Sequence, residues 1–327
     1  MDKKFFIYPV VFLVGAIAGH YILPETLLPK GVSDTDIQQS NNKYTYINPL
    51  LFCSDQALSN YTNKVPISIE DKLDTYLDGQ KAQGNLTEAS VYYKDLNDGP
   101  WVLINGDMRT VPASLLKVPV ALTIFKHVEE DTTFLDKKLV LQTPDDVNKA
   151  QYFKPAQTIA ANVPYSVKDL VAYMLESSDN GALYVLGASL PEQEFADAYS
   201  DLGIDVPTEI APGYTMNVRT YASFFRVLFN ASYLSRDNSE YVLSLLAQSK
   251  FPQGLEAGVP KNIKIAHKFG EFMVSADDLR LHDCGIIYRK SDPYILCMMT
   301  RGKNFDKLAS IIADTSKIVY ETLEAHK

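Results

Sequence analysis

The chain of 327 residues contains one tryptophan, three cysteines and five histidines, and each shortage closes off a class of function. Cys53, Cys284 and Cys297 are too few for a disulfide framework, and no C-x-x-C pair is present to hold zinc or exchange thiols. His20, His127, His267, His282 and His326 form no H-E-x-x-H pair, so no metal and no other cofactor is expected. Cations are also scarce: Lys+Arg 31 against Asp+Glu 40 leaves a net charge of -9. Nucleic acid is therefore not an expected partner, because phosphate neutralisation needs clustered Lys and Arg. The absence of a G-x-S-x-G elbow and of a phosphate-binding glycine loop removes the usual Ser-His-Asp hydrolase and nucleotide readings.

Long apolar runs are absent too, except at the start. Met1-Asp2-Lys3-Lys4 precedes a nearly uncharged stretch, Phe5 to Leu23. Its length suits a transmembrane helix with its lysine end in the cytoplasm, whereas Ala16-Ile17-Ala18 resembles a signal cleavage site. Either reading makes residues 1–24 a signal peptide or membrane anchor and places the rest outside the cytoplasm. Residues 25–65 are polar and punctuated by Pro24, Pro29 and Gly31, as in a tether, with Asn48-Pro49-Leu50-Leu51-Phe52-Cys53 as an apolar interruption. Residues 66–327 are then long enough for one enzyme domain, and 46% hydrophobic composition supplies its core.

Three short motifs are present in order: Ser114-Leu115-Leu116-Lys117, Ser178-Asp179-Asn180 and Lys268-Phe269-Gly270. Singly each is weak; an S-x-x-K is most often a helix cap followed by a snorkelling lysine. Context strengthens the first, because apolar residues from Leu115 to Phe125 cover every side of a predicted helix, Ser114 to Phe125, and so predict burial. Ser114 would open that helix, with Lys117 one turn on and on the same face. A serine becomes a nucleophile when a neighbouring base takes its proton, and a lysine can be that base where desolvation keeps it neutral. Ser178-Asp179-Asn180 directly follows a predicted helix, Ser166 to Leu175, opened by a capping serine, and reads either as an ordinary turn or as a hydroxyl and carboxamide facing a cleft. Lys268 lies on a predicted strand, Ile263 to Glu271, and Gly270 permits close approach of a ligand.

Further elements follow from periodicity. Ser68 to Gln83 is a predicted helix capped by Ser68; Ala89 to Tyr93 and Trp101 to Ile104 are strands. Residues 114 to about 250 read as helix and loop. Pro191 to Gly203 and Asn217 to Asn230 are helices, His282 to Arg289 and Tyr294 to Arg301 form a hairpin, and Asn304 to Leu323 is a closing amphipathic helix. Alternation along the strand turns His267 away from Lys268, as a structural histidine. Cys284 and Cys297, on consecutive strands, could be neighbours, but buried thiols are the preferred reading and nothing in the sequence demands a disulfide.

With these motifs in this order over residues 66 to 327, the chain resembles the penicillin-recognising serine enzymes, specifically the class A beta-lactamase-like group. The resemblance implies an α+β fold: an antiparallel five-stranded sheet flanked by helices plus a mostly helical lobe, beta-lactamase/transpeptidase-like. It also implies roles. Ser114 is the nucleophile, Lys117 its base, Ser178 the proton relay, Asn180 a substrate-amide donor and Lys268 a cation near the substrate carboxylate. Gly270 and Glu271 border the substrate, and the backbone N–H groups of Ser114 and Glu271 make the oxyanion hole.

Two departures bear on activity. Phe269 stands where the group usually has a carboxylate-binding hydroxyl, and an aromatic ring cannot donate that hydrogen bond. The segment Ile204 to Gly213 is short and lacks the usual glutamate-to-asparagine pattern; Glu209 is the sole substitute for a deacylation base, and a solvated loop glutamate is its ordinary reading. The implied activity is a serine hydrolase acting on beta-lactams or related amides through a slowly deacylating Ser114 acyl-enzyme. A D-Ala-D-Ala peptidase or transpeptidase of the cell wall, and a non-catalytic wall-peptide-binding relative, are the alternatives. A monomer is expected.

Overall fold

The computed structural model describes residues 43–48, 64–97, 99–143, 145–207, 213–290 and 292–326. The expected anchor at 1–24, most of the tether, Cys53 and Glu209 lie outside the described residues. The chain divides into two units, residues 1–45 and 46–327. In the first, Lys43 Nζ stands over the Tyr44 ring.

Five antiparallel strands form the second unit's sheet in the order β2-β1-β7-β6-β5. These are β1 (Glu88–Asp95), β2 (Trp101–Ile104), β5 (Lys264–Ser275), β6 (Asp278–Tyr288) and β7 (Tyr294–Gly302). The first two come from the start of the domain and the last three from its end, so β1 pairs with β7 along its whole length. The expected α+β architecture is realised.

β7 shows why its sequence is a continuous apolar run rather than an alternating one. Tyr294, Leu296 and Met298 join a core cluster with α1 (Lys64–Ala82) and α8 (Phe305–Ala325). Ile295, Cys297 and Met299 alternate with them and are equally buried, and α6 (Val218–Phe229) packs on β7, β1 and β6. A strand covered on both faces has no polar positions to show. The stripe expected on the closing helix holds: Phe305, Leu308, Ile312 and Val319 are buried and Leu323 packs partly against them.

Between the two halves of the sheet lie α2 (Lys117–Glu130), α3 (Val167–Glu176), α4 (Asn180–Gly187), α5 (Glu192–Asp201), α6 and α7 (Arg236–Leu246). Three expectations need correction or refinement. Residues 114 to about 250 are almost entirely helix and loop, as expected, with β3 (Lys138–Val140) and β4 (Pro164–Ser166) pairing there as a small antiparallel ribbon. Ser68 does not cap α1; the helix begins at Lys64, and Pro66 in its first turn costs no hydrogen bond because the N–H it lacks would have had no partner.

Third, Ser114 sits in a 3₁₀ turn, Ala113–Leu116, and the α-helix starts only at Lys117. Pro119 explains the break: it has no N–H to give the Leu115 carbonyl four residues back. The buried Tyr221 hydroxyl donates to that carbonyl instead, at 2.9 Å. Cys284 and Cys297, expected as separate thiols, face each other across β6 and β7 and are disulfide-bonded.

Candidate active site

The turn that carries Ser114 is held from several sides. His282 on β6 donates from Nε2 to the Val111 carbonyl at 3.0 Å while its Nδ1 accepts from Thr300 N at 3.2 Å. Burial lowers its pKa to about 4, so the ring is neutral near pH 7 and this donor/acceptor assignment is fixed. Thr110 bridges Met216 in both directions through the backbone and receives Arg280 Nη1 on its hydroxyl. Gly270 of β5 presses on the same turn: a Cβ there would lie 2.8 Å from Pro112 O and 2.9 Å from Leu115 N. Contacts that short need glycine.

Ser114 is preceded by Ala113 at φ 51° and Ser178 itself lies at φ 59°, both in the left-handed region. A non-glycine residue there costs of order 1–3 kcal/mol and persists only where its surroundings enforce it. Ser178 sits in the sharp link between α3 and α4. The cap expected for α3 is present, with Ser166 Oγ accepting from Asp169 N at 3.0 Å. After it, Asp179 caps α4 and is fully buried. Its carboxylate accepts from Gly181 N, Asn148 Nδ2 and Ile159 N at 2.7–3.0 Å. Asp179 thus shapes the link and leaves Ser178 and Asn180 to face the crevice.

Lys117 is the hub. Its Nζ is sealed from solvent and lies 3.2 Å from Ser114 Oγ, 3.1 Å from Ser178 Oγ, 2.6 Å from Ser178 O and 2.8 Å from Asn180 Oδ1. Desolvation pushes its pKa well below the ordinary lysine value, the charge of Lys268 pushes it further, and Asp179 and Glu271 oppose them. Lys268, equally buried, gives Nζ to Ser178 Oγ and to Phe269 O, both at 2.9 Å. Its pKa falls to about 7 through desolvation, against the pull of Asp283 and Glu271. Ser114, Lys117, Ser178, Asn180 and Lys268 therefore form one connected network, while Asn180 Nδ2 reaches Val147 O at 3.3 Å.

Several participants were not foreseen. The Glu271 side chain accepts from Tyr152 N at 2.7 Å and Phe153 N at 3.2 Å, fixing the segment after α2 against the strand rim. Burial raises its pKa, and the two backbone donors and Lys268 hold it back. Gln151 Nε2 donates to Ser178 O at 3.0 Å, and Asn148 Oδ1 accepts from Asn180 N at 2.8 Å. Only the cluster of Asn, Gln and aromatic residues from Asn148 to Phe153 signalled this in the sequence, and such residues are common in loops.

His267 turns away from Lys268 as expected. Its Nδ1 meets the buried Asp283 carboxylate at 2.9 Å, whereas Nε2 has no hydrogen-bond partner and lies 4.0 Å from Glu256. Among the described residues, no group of His, Cys, Asp and Glu is placed to hold a metal, and no helix is long and apolar enough to cross a membrane.

Comparison with known proteins agrees with the fold. A profile described as the beta-lactamase enzyme family matches residues 68–323. No curated protein matches the chain. Among solved structures, the chain is similar to a mutant of PBP-A in an acyl-enzyme complex with penicillin G, with TM-score 0.67 and 23% identity over 79% of this chain and 97% of that one. It is also similar to the TLA-3 extended-spectrum beta-lactamase, with TM-score 0.68 and 17% identity over 79% and 99%. A beta-lactamase from Chitinophaga pinensis matches with TM-score 0.67 and 15% identity over 78% and 99%.

Proposed function

The chain belongs to the beta-lactamase enzyme family and is a serine beta-lactamase-like hydrolase, and on that premise we propose that Ser114 opens amide bonds by forming an acyl-enzyme. One observation carries the reading: a buried lysine amine, biased toward its neutral form, touches both Ser114 Oγ and Ser178 Oγ.

The steps follow from those contacts. Lys117 Nζ takes the Ser114 proton as Oγ bonds to the substrate carbonyl carbon, and the carbonyl π pair moves onto oxygen. The N–H groups of Ser114 and Glu271 receive that oxyanion; preorganised donors of this kind contribute about 3–4 kcal/mol each. Collapse breaks the C–N bond, the leaving nitrogen takes the Ser178 hydroxyl proton, and the Lys117 ammonium restores it. Lys268 steadies Ser178 at 2.9 Å, and Asn180 offers its carboxamide to the substrate amide.

Release of the acyl group is slow in this reading. Among the described residues no carboxylate is hydrogen-bonded to Ser114 or Lys117, whose partners are hydroxyl, carbonyl and carboxamide oxygens. The acyl donor is a beta-lactam or a related cell-wall peptide amide, and the acceptor is water or, in a transpeptidase reading, an amine. Residues 1–24 serve as anchor or cleaved signal and hold the domain outside the cytoplasm.

Labelling with a fluorescent penicillin, followed by intact mass spectrometry over time, tests this. The wild-type chain takes up one acyl group that persists, and Ser114→Ala takes up none. Labelling that survives Ser114→Ala would refute the assignment of the nucleophile, and rapid return to the unmodified mass would refute slow release and bring Glu209 forward.

A further inference from the structure

Lys268 has three N–H donors at most. One goes to Ser178 Oγ and one to Phe269 O, both at 2.9 Å, and Nζ stands 4.3 Å from the centre of the Phe269 ring. A cation over a ring face at that distance is an attractive contact. With 1% exposure, Lys268 has two donors committed to protein oxygens and its ammonium set against the Phe269 ring.

Its surroundings are equally unsuited to a carboxylate. Phe269 is buried and stacks on Phe251 at 4.0 Å, and Phe153 lies edge-on to both. Beside this aromatic group is a cavity of about 210 Å³, with Tyr152, Ser177 and Lys250 also on its wall. Glu271, one residue past Gly270, places a carboxylate at the rim, pinned by Tyr152 N and Phe153 N. On the adjacent strand, Arg280 gives Nε and Nη2 to Asp278 and Nη1 to Thr110. Of the two lysines on the cavity wall, Lys154 donates to Lys149 O at 2.7 Å and Lys250 stands 4.0 Å from Glu176.

Resting on the acyl-transfer reading above, we propose that the acyl donor is neutral where it faces Lys268. Such a donor is an internal peptide amide, or a cyclic amide whose acid is masked, rather than a peptide cut at its free C-terminus. Lys268 then serves Ser178 and not the substrate.

The test is a matched pair, penicillin G and its methyl ester, with acylation of the full chain followed by intact mass. The ester should react with wild-type protein at least as fast as the free acid. Phe269→Ser frees one face of Lys268 and adds a hydroxyl, so it should shift the acid-to-ester ratio toward the acid by about tenfold or more, the worth of one charged hydrogen bond. Glu271→Gln should shift it the same way by less. A wild-type preference for the acid of about tenfold or more overturns the proposal, and that measurement needs no variant to fold. An unchanged ratio in a folded Phe269→Ser protein overturns it as well. If neither compound labels Ser114, the acyl-transfer reading fails and the proposal with it.

Discussion

Lys117 in the helical lobe and Lys268 at the sheet rim are both hidden from water, yet their neighbours differ. Around Lys117 the hydrogen-bonding contacts are neutral oxygens, and the largest ionic influence on its titration is another cation, so the two leading forces drive the proton off against the weaker pull of Asp179 and Glu271. Lys268 has Asp283 and Glu271 within electrostatic reach, which hold its pKa near 7 instead of letting it fall further. Equal burial thus produces two different reagents: an amine fit to accept a proton and an amine that keeps part of its charge beside Ser178. Charge placement, more than burial, sets the division of labour.

The comparison breaks most completely at Lys117. Lys117→Met removes the base but leaves the apolar stem, and acylation measured by intact mass should slow by about a thousandfold, while far-UV circular dichroism stays unchanged. Gly270→Ala tests whether the two corners must touch. Its Cβ would collide with Pro112 O and Leu115 N, displacing the serine turn, and a misplacement near 1 Å costs about a hundredfold in rate.

Lys268→Met sharpens the electrostatic half. Lys117 accepts a proton only when neutral, so acylation rises as pH increases through its lowered pKa and fails below it. Removing the neighbouring cation lets Lys117 keep its proton to higher pH. The acid limb of the rate profile should therefore move to higher pH, with acylation slowed at a fixed pH on that limb. The same substitution affects stability. Between about 7 and the ordinary 10.5, Lys268 binds more protons in the unfolded chain than in the folded one, so stability increases with pH across that window. Denaturant titrations at pH 7 and 9 should show this rise, and it should shrink in the variant.

The smallest effect lies outside both corners. Asn304 caps α8 by accepting from Lys307 N at 2.9 Å, and Asn304→Ala should cost about 1 kcal/mol of stability without altering acylation.

The two corners were unequally legible beforehand. Ser114, Lys117, Ser178, Asn180 and Lys268 stood out because their types and order are unusual, and the apolar runs around them announced burial. Gly270 was legible as a close approach, though not which backbone it approaches. The segment around Tyr152 and Phe153 was not, since it works through backbone N–H groups and ring edges that any sequence supplies. Three-residue strands such as β3 and β4 carry no measurable period, and the Leu115 carbonyl that Pro119 leaves free at the delayed start of α2 is satisfied by Tyr221, a partner far away in the chain. Glu271 was expected to act through its backbone, and its side chain proved to be a clasp.

The sheet draws its strands from opposite ends of the chain, with Glu88 opposite Arg301 and Asp95 opposite Tyr294. A ribosome-bound chain therefore carries β1 with β2 but without β7 until nearly everything else has been synthesised, and such distant pairings form slowly. Ser114 and Lys117 emerge early but lack Lys268 until β5 arrives. The nucleophile is thus armed only in the finished molecule, and losing even the last strand would leave an inert and aggregation-prone remnant.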